Sequence, residues 1–395
     1  MAGRPGIPAK ALVVLLVLMA LGSAIHASGN ALALWGSMDL GQPLKASQEL
    51  MREDPYRRFL QVPIGPDAQA RPDANPFGVF PVQVPSALML LWPYAMLSWP
   101  GAKLAWLISN LLFTAGLLLL AFRRLLPGRS PWLYAAIGAL FVIGMPWRNI
   151  IANGQHLLAS LFLFLLALEL ADRRRPVPAG IALAAALLKY TVILFLLPYL
   201  ILKRQWLPIA VALAIHAAMT LAIALRLHTD PATLVLESFR IAIRLQPQGY
   251  VDLSALTAAS GIPPMLALAA GALLFGMEIW IAAVRPTRDE ALFLAALCLL
   301  APLLVYHRAY DFVLLIVPLL VAIDRWPQAK PLTLLVSACV ALVWFVSTAR
   351  PYAAWMDGRG PYYWLVAGCC WAAAAAAWIL LGRGSGQTRP GRDRP

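Results

Sequence analysis

Apolar residues in this chain come in long unbroken runs, and polar residues gather between them. The runs are rich in Leu and Ala and close to 20 residues long, the length a helix needs to cross a bilayer. Alternating ten-residue segments, the mark of a membrane barrel, do not occur. The pattern predicts spans at 11–34, 101–122, 131–147, 155–171, 206–226, 262–284, 291–306, 309–323, 331–348 and 362–381. The stretch "VPAGIALAAALLKYTVILFLLPYLILKRQW" is basic at both ends with Lys189 in the middle. Basic ends favour one side of a membrane, so this stretch reads as a hairpin of two short helices with its tip at Lys189. Segment 82–99 carries Pro85 and Pro93 among aromatics and reads as an interfacial or re-entrant piece.

The expected fold is therefore an all-α integral membrane protein, a bundle of about 12 transmembrane helices with a long first outer loop. Lys/Arg clusters between runs set the sidedness, with both termini cytoplasmic and loops 35–82, 227–261 and 349–361 facing out. Residues 1–382 read as a single membrane domain, and 383–395 as a disordered cytoplasmic tail. The basic start and apolar stretch near the N-terminus resemble a signal peptide, but the apolar part is longer than usual and reads as an uncleaved first helix.

Composition strengthens this picture. Of 395 residues, 61% are hydrophobic and 13% charged, against about 25% charged in soluble domains. The net charge of +14 is split into short clusters between apolar runs. Without a basic groove interleaved with aromatics, that pattern points to cytoplasmic loops and not to nucleic acid. The four cysteines, Cys298, Cys339, Cys369 and Cys370, all lie within apolar runs and lack redox or zinc spacing, so no disulfide is expected. No nucleotide-binding loop, dinucleotide fingerprint or metal-ligand spacing is present, and neither cofactor nor metal is expected.

Polar residues collect on the predicted outer side. Asp39 follows the first span. "PWRNIIANGQH" supplies Arg148, Asn149, Asn153, Gln155 and His156, and "YHRAYDF" supplies His307, Arg308, Tyr310 and Asp311. Charges within membrane spans cost about 2.5–3.5 kcal/mol each on insertion scales and usually mark function. Arg148, Lys189, His307 and Arg308 can hold an anion such as a lipid phosphate. Asp39, alone in an outer loop, can serve as a general base. Gln155, Asn153, Tyr310 and Tyr56 are candidates for lining a substrate pocket. An anion site beside a base fits displacement of a phosphate leaving group by a hydroxyl. Structural readings stand beside these: Asp39 as a boundary residue, Lys189 as a snorkelling cation, and "HRAYD" as a solvated turn. A transporter or flippase for an anionic lipid would use the same cations without a base.

The order "MDLGQPLKASQELMREDPY", "FPVQVPSALMLLWPYAML" and "NGQHLLASLFLFLLALELADRRRPVPAGIALAAALLKY" resembles glycosyltransferase family 87 of the GT-C superfamily of membrane enzymes. The stretch from Gly154 to Lys189 carries the likeness best, and "APLLVYHRAYDFVLLIVPLL" is similar to the family's late polar-starting span. The resemblance implies a GT-C-type bundle in the plasma membrane. It implies transfer of a sugar, such as mannose, from a polyprenyl-phosphate sugar donor to a hydroxyl on a glycolipid or glycan acceptor at the outer face. It implies Asp39 as the base and His307 at the donor phosphate. The sequence departs from the family pattern at Phe80-Pro81-Val82 and at Lys189-Tyr190-Thr191-Val192.

Overall fold

The computed structural model describes residues 6–34, 36–60, 83–245, 252–253, 261, 263–284, 289–304, 308–326, 329–345 and 361–383. The outer stretch 61–82 and, apart from Arg383, the expected tail 383–395 lie outside the described residues. Among the described residues the chain is all helix and has no strand. Along the first half run α1 (Ile7–Leu32), α2 (Met38–Leu50), α3 (Pro55–Leu60), α4 (Pro85–Leu90), α5 (Trp92–Ala95), α6 (Trp99–Leu125), α7 (Pro131–Ile143), α8 (Met145–Asn153), α9 (Leu157–Asp172) and α10 (Pro176–Ala186). The second half contains α11 (Tyr190–Ile193), α12 (Leu197–Leu202), α13 (Trp206–Leu227), α14 (Pro231–Leu245), α15 (Pro264–Val284), α16 (Glu290–Leu304), α17 (Ile316–Asp324), α18 (Lys330–Val340) and α19 (Pro361–Arg383).

Proline is abundant, with 32 in the chain, yet most helices survive it because it sits at their start. Helices α1, α4, α5, α6, α7, α8, α10, α12 and α18 each carry Pro in the first or second position. There its missing N–H would have had no partner, and its fixed φ already suits the helix.

Among the described residues, five helical stretches are long and apolar enough to cross a membrane, or six if the bent pair α7–α8, kinked by 57°, counts as one. Helices α16, α18 and α19 are apolar but present shorter runs. Helix α1 packs through Ala20, Ala27 and Ala31 and leaves Leu12, Leu15, Leu18, Leu21 and Ile25 exposed. Small residues at the contact and large apolar ones outside are what lipid solvation favours. At the other extreme, every residue of α16 from Leu292 to Leu304 is buried, so α16 is the centre of the bundle.

The stretch Pro176–Leu202 is long and apolar enough for one span, but its course is not straight. Three-ten turns interrupt it at Leu187–Lys189 and Leu194–Leu196. Twenty-seven residues of straight helix would run about 40 Å, yet beyond its far end Lys203 Nζ lies 3.8 Å from Asp172 Oδ1, just ahead of its start. Tyr199 also receives a hydrogen bond from Arg124, which pairs with that same Asp172. The run therefore folds back, and Lys189 lies at its turn. Gly180 makes room for the rising arm: a Cβ there would sit 2.5 Å from Val211 Cβ on α13. His216 of α13 joins the same contact, bonding the Ala184 carbonyl and Ser86.

Two ends result. At the foot, helix termini are laced by exposed or half-exposed ion pairs. Arg124 meets Asp172 at 2.7 Å, Lys203 meets Glu290 at 2.8 Å, Arg173 meets Glu169 at 2.7 Å and Arg129 meets Asp324 at 3.3 Å. Arg325 and Asp289 pair there too. The opposite end, or head, gathers the end of α1, the helix α2, the α8–α9 junction, Lys189 and residues 308–311.

Two expectations change here. Segment 35–82 is not an extended loop where it is described, because 38–50 and 55–60 are helical. Leu40, Leu44, Ser47 and Leu50 fall three and four apart and are buried, so α2 is an amphipathic helix lying on the bundle. Gly41 and Pro43 disguise that stripe in the sequence. Likewise the expected loop 227–261 is helical over 231–245, as α14. Segment 82–99 agrees with an interfacial or re-entrant piece, because its two helices of six and four residues, α4 and α5, are too short to cross a bilayer.

Candidate active site

Asp39 sits in the first turn of α2, where the helix N-terminus favours negative charge. Its position is set by how α1 ends. The buried Lys103 on α6 donates to the carbonyls of Leu32 and Ala33 at 3.0 and 2.7 Å. Those are carbonyls that a helix end leaves without partners. Ser37 then turns the chain with φ of 57°, donates its hydroxyl to the Ala31 carbonyl at 3.0 Å, and gives its N–H to the Ala152 carbonyl of α8 at 2.8 Å. Asp39 is thereby tied to the α8–α9 junction.

That junction depends on Gly154, which ends α8 with φ of +70°. A Cβ there would meet Leu40 Cβ at 2.7 Å and Ser37 Cβ at 3.2 Å. Only glycine combines a left-handed backbone with so close a neighbour. Trp106 Nε1 donates to the Gly154 carbonyl at 2.9 Å and holds the turn.

The next residue, Gln155, is the centre of the site. Its Nε2 donates to Asp39 Oδ2 at 2.6 Å and to the Tyr310 hydroxyl at 2.8 Å, while its Oε1 accepts from Lys189 Nζ at 3.4 Å. Lys189 Nζ also lies 3.3 Å from Asp311 Oδ1 and over the Tyr310 ring at 5.3 Å from its centroid. The three-ten break explains why Lys189 can point here. Its backbone leaves the helical well at φ −107° and ψ 64°, and its N–H is taken by Ser160 Oγ of α9 at 3.1 Å. Asp311 is 1% exposed, and its Oδ2 accepts the Arg308 N–H at 2.9 Å.

Burial raises the Asp39 carboxyl above the ordinary aspartate range. The Gln155 hydrogen bond and the charges of Lys189 and Arg308 pull it back, and Asp311 pushes it up again. His156 is buried against Trp106, with ring centroids 5.1 Å apart.

Of the residues singled out in the sequence, Asp39, Gln155, Lys189 and Tyr310 come together in direct contact, with Arg308 beside them. Asp39 does not stand alone in a loop. It is helical and hydrogen-bonded. Arg148 and Asn153 are half-buried on α8, and no described contact carries their side chains to this cluster. Tyr56 belongs to a separate group: it is fully buried under α14 with Leu234 and Ile241, and its hydroxyl donates to the Gln83 carbonyl at 2.7 Å. His307 lies outside the described residues. Sequence reasoning missed Asp311 as the partner of Lys189 and Ser160 as its anchor. An acid in a polar insert between apolar runs was the only signal for the first, and the second had none.

The sequence pattern that defines glycosyltransferase family 87 matches residues 84–348. The chain belongs to glycosyltransferase family 87. No curated protein and no solved structure matches it. The family match spans Gln155, Lys189, Arg308, Tyr310 and Asp311 and begins after Asp39. The fold brings Asp39 to the family region through the Gln155 contact. The chain is thus a membrane glycosyltransferase.

Proposed function

We propose that this glycosyltransferase moves a hexose such as mannose from a polyprenyl-phosphate carrier to an acceptor hydroxyl at the outer face of the plasma membrane, with inversion. The observation that carries this reading is the Asp39–Gln155 contact at 2.6 Å, with Lys189 and Tyr310 on the far side of the same amide. A carboxylate and a cation share one hydrogen-bonded unit, which is the pairing that base-assisted displacement of a phosphate requires. The bundle is proposed as a GT-C-type arrangement of about 12 membrane passes, the short arms of the Lys189 hairpin and the shorter apolar helices included. Both termini are placed in the cytoplasm and the head faces out.

In this mechanism Lys189 and Arg308 attract the donor phosphodiester, and the resemblance adds His307. The acceptor hydroxyl approaches Asp39. Oδ2 is engaged by Gln155, and Oδ1 has no partner among the described residues, so Oδ1 takes the proton. The oxygen attacks the anomeric carbon opposite the phosphate, the C–O bond to phosphate breaks, and polyprenyl phosphate leaves with the bonding pair. A β-linked carrier sugar then yields an α-linked product. Base assistance of this kind contributes about 10²–10⁴-fold.

The test uses the full-length protein in lipid nanodiscs, a panel of labelled polyprenyl-phosphate sugars and a membrane glycolipid extract as acceptor. Release of polyprenyl phosphate with label in the extract, lost in Asp39→Asn, supports the proposal. Movement of intact donor across vesicles without its cleavage would replace the transferase with a flippase.

A further inference from the structure

Gln155 touches Asp39, Tyr310 and Lys189 at once. Its amide is asymmetric, with two protons on Nε2 and only lone pairs on Oε1. Reversing it would set Oε1 against the Asp39 carboxylate and Nε2 against the Lys189 ammonium, an acceptor facing an acceptor and a donor facing a donor. An ionised Asp39 can enforce the observed orientation by itself. A protonated Asp39 cannot, because a carboxylic acid both donates and accepts. A base passes through that protonated state in each turnover. Lys189 donates in either state of Asp39, so it is the group that can keep the amide pointed while the proton comes and goes.

Lys189 in turn needs a reason to stay. Its four-carbon stem is flexible, and its contact with Gln155 Oε1 is long at 3.4 Å. Asp311 supplies the fixed point. It is 1% exposed, lies 3.3 Å from Lys189 Nζ, and is itself held by the Arg308 N–H at 2.9 Å. The Asp311 N–H returns to the Arg308 carbonyl at 2.9 Å, so its backbone is held as well.

We propose that Asp311 is a positioning residue for Asp39, acting through Lys189 and the Gln155 amide to keep Oδ2 occupied and Oδ1 presented to the acceptor. The meaning of this chain for catalysis rests on Asp39 being the base. The groups that bear on Asp39 are Lys189, Arg308 and Asp311 by charge, and Tyr310 through the shared Gln155 amide. Asp311 reaches Asp39 in two ways with opposite signs. Through space its negative charge disfavours ionisation of Asp39, so its removal alone lowers the titration midpoint. Through Lys189 and Gln155 it maintains a hydrogen bond that favours ionisation, so loss of that bond raises the midpoint.

The experiment is an infrared pH titration of the Asp39 carboxyl in the full-length protein in nanodiscs, its band identified as the one missing from Asp39→Asn. No substrate is needed. Asp311→Asn should raise the midpoint in the native background, as Gln155→Leu should, and should lower it in the Gln155→Leu background. A downward shift or no shift in the native background would overturn the proposal. Lys189→Met is a second measurement if Asp311→Asn does not insert. Its upward shift should be smaller in the Gln155→Leu background than in the native one, and equal shifts would overturn the proposal. The base assignment fails separately, if Asp39→Asn retains sugar transfer.

Discussion

Two lysines on one folded-back stretch meet aspartates under opposite conditions. Lys203, at the foot, lies 3.8 Å from Asp172, which is 39% exposed, and also reaches Glu290 at 2.8 Å. Lys189, at the turn, lies 3.3 Å from Asp311, which is 1% exposed, and shares its ammonium with an uncharged amide. The foot is redundant and wet: lose one partner and another, or water, takes its place. Exposed pairs of that kind contribute about 0–1 kcal/mol. At the head, removing Lys189 leaves the buried Asp311 carboxylate without its cation, at about 3–5 kcal/mol. Similar residue types thus give redundant, exposed anchorage at one end and a buried pair at the other.

The contrast is sharpest at Asp39. Asp39→Asn should reduce transfer by about 10²–10⁴-fold. Thermal stability near neutral pH should not fall. Because burial raises the folded-state carboxyl above its unfolded value, its contribution to stability is complete below the unfolded value and is lost as pH rises through the folded one. An amide removes that loss and still accepts from Gln155. Parallel transfer assays and thermal scans check both halves, and a destabilised Asp39→Asn would mean the head is built for stability after all. With native protein, transfer should rise with pH through the raised Asp39 value, at higher pH than an ordinary aspartate would give.

Next in size is Lys189→Met, which strands Asp311 and should cost about 3–5 kcal/mol at neutral pH. Recovery of much of that loss in Lys189→Met/Asp311→Asn, read by thermal scans, would trace it to the buried charge. Gly154→Ala should cost about 1–3 kcal/mol from its left-handed backbone and its clash with Leu40. It should also lower transfer more than its stability loss explains, because the same turn places Gln155. Smallest is Lys203→Met, within about 1 kcal/mol and shrinking as salt is added. A loss at the foot as large as that of Lys189→Met would erase the distinction between the two ends.

Much of the bundle was legible because lipid leaves a chain few choices. Backbone groups must be satisfied within helices, so runs such as those around 101–122 and 206–226 announce α6 and α13 with only their ends displaced. The turn at Lys189 was legible too, since basic residues flank both arms. Helix α2 was not, because Pro43 and Gly41 break the usual helical signal and only packing of Leu40, Leu44 and Leu50 compensates. Within the site, Gln155 and Tyr310 stood out as polar residues where apolar ones are usual. Tyr56, Arg148 and Asn153 looked equally eligible, yet the first faces α14 and the others stay on α8 without reaching Asp39.

By itself the sequence determined the solvent of this protein, its helical class, and several of the polar residues that meet at the head. Those follow from apolar run length and from charge, properties of residues taken singly or in short windows. Which polar groups touch was decided by the tertiary structure. Contacts such as Gln155 with Asp39, and Lys189 with Asp311, join residues more than a hundred positions apart in the chain. Their distances depend on a helix end capped by Lys103, a left-handed Gly154 and a three-ten break tied to Ser160. Window patterns carry no record of such long-range distances, because each depends on every helix packed between.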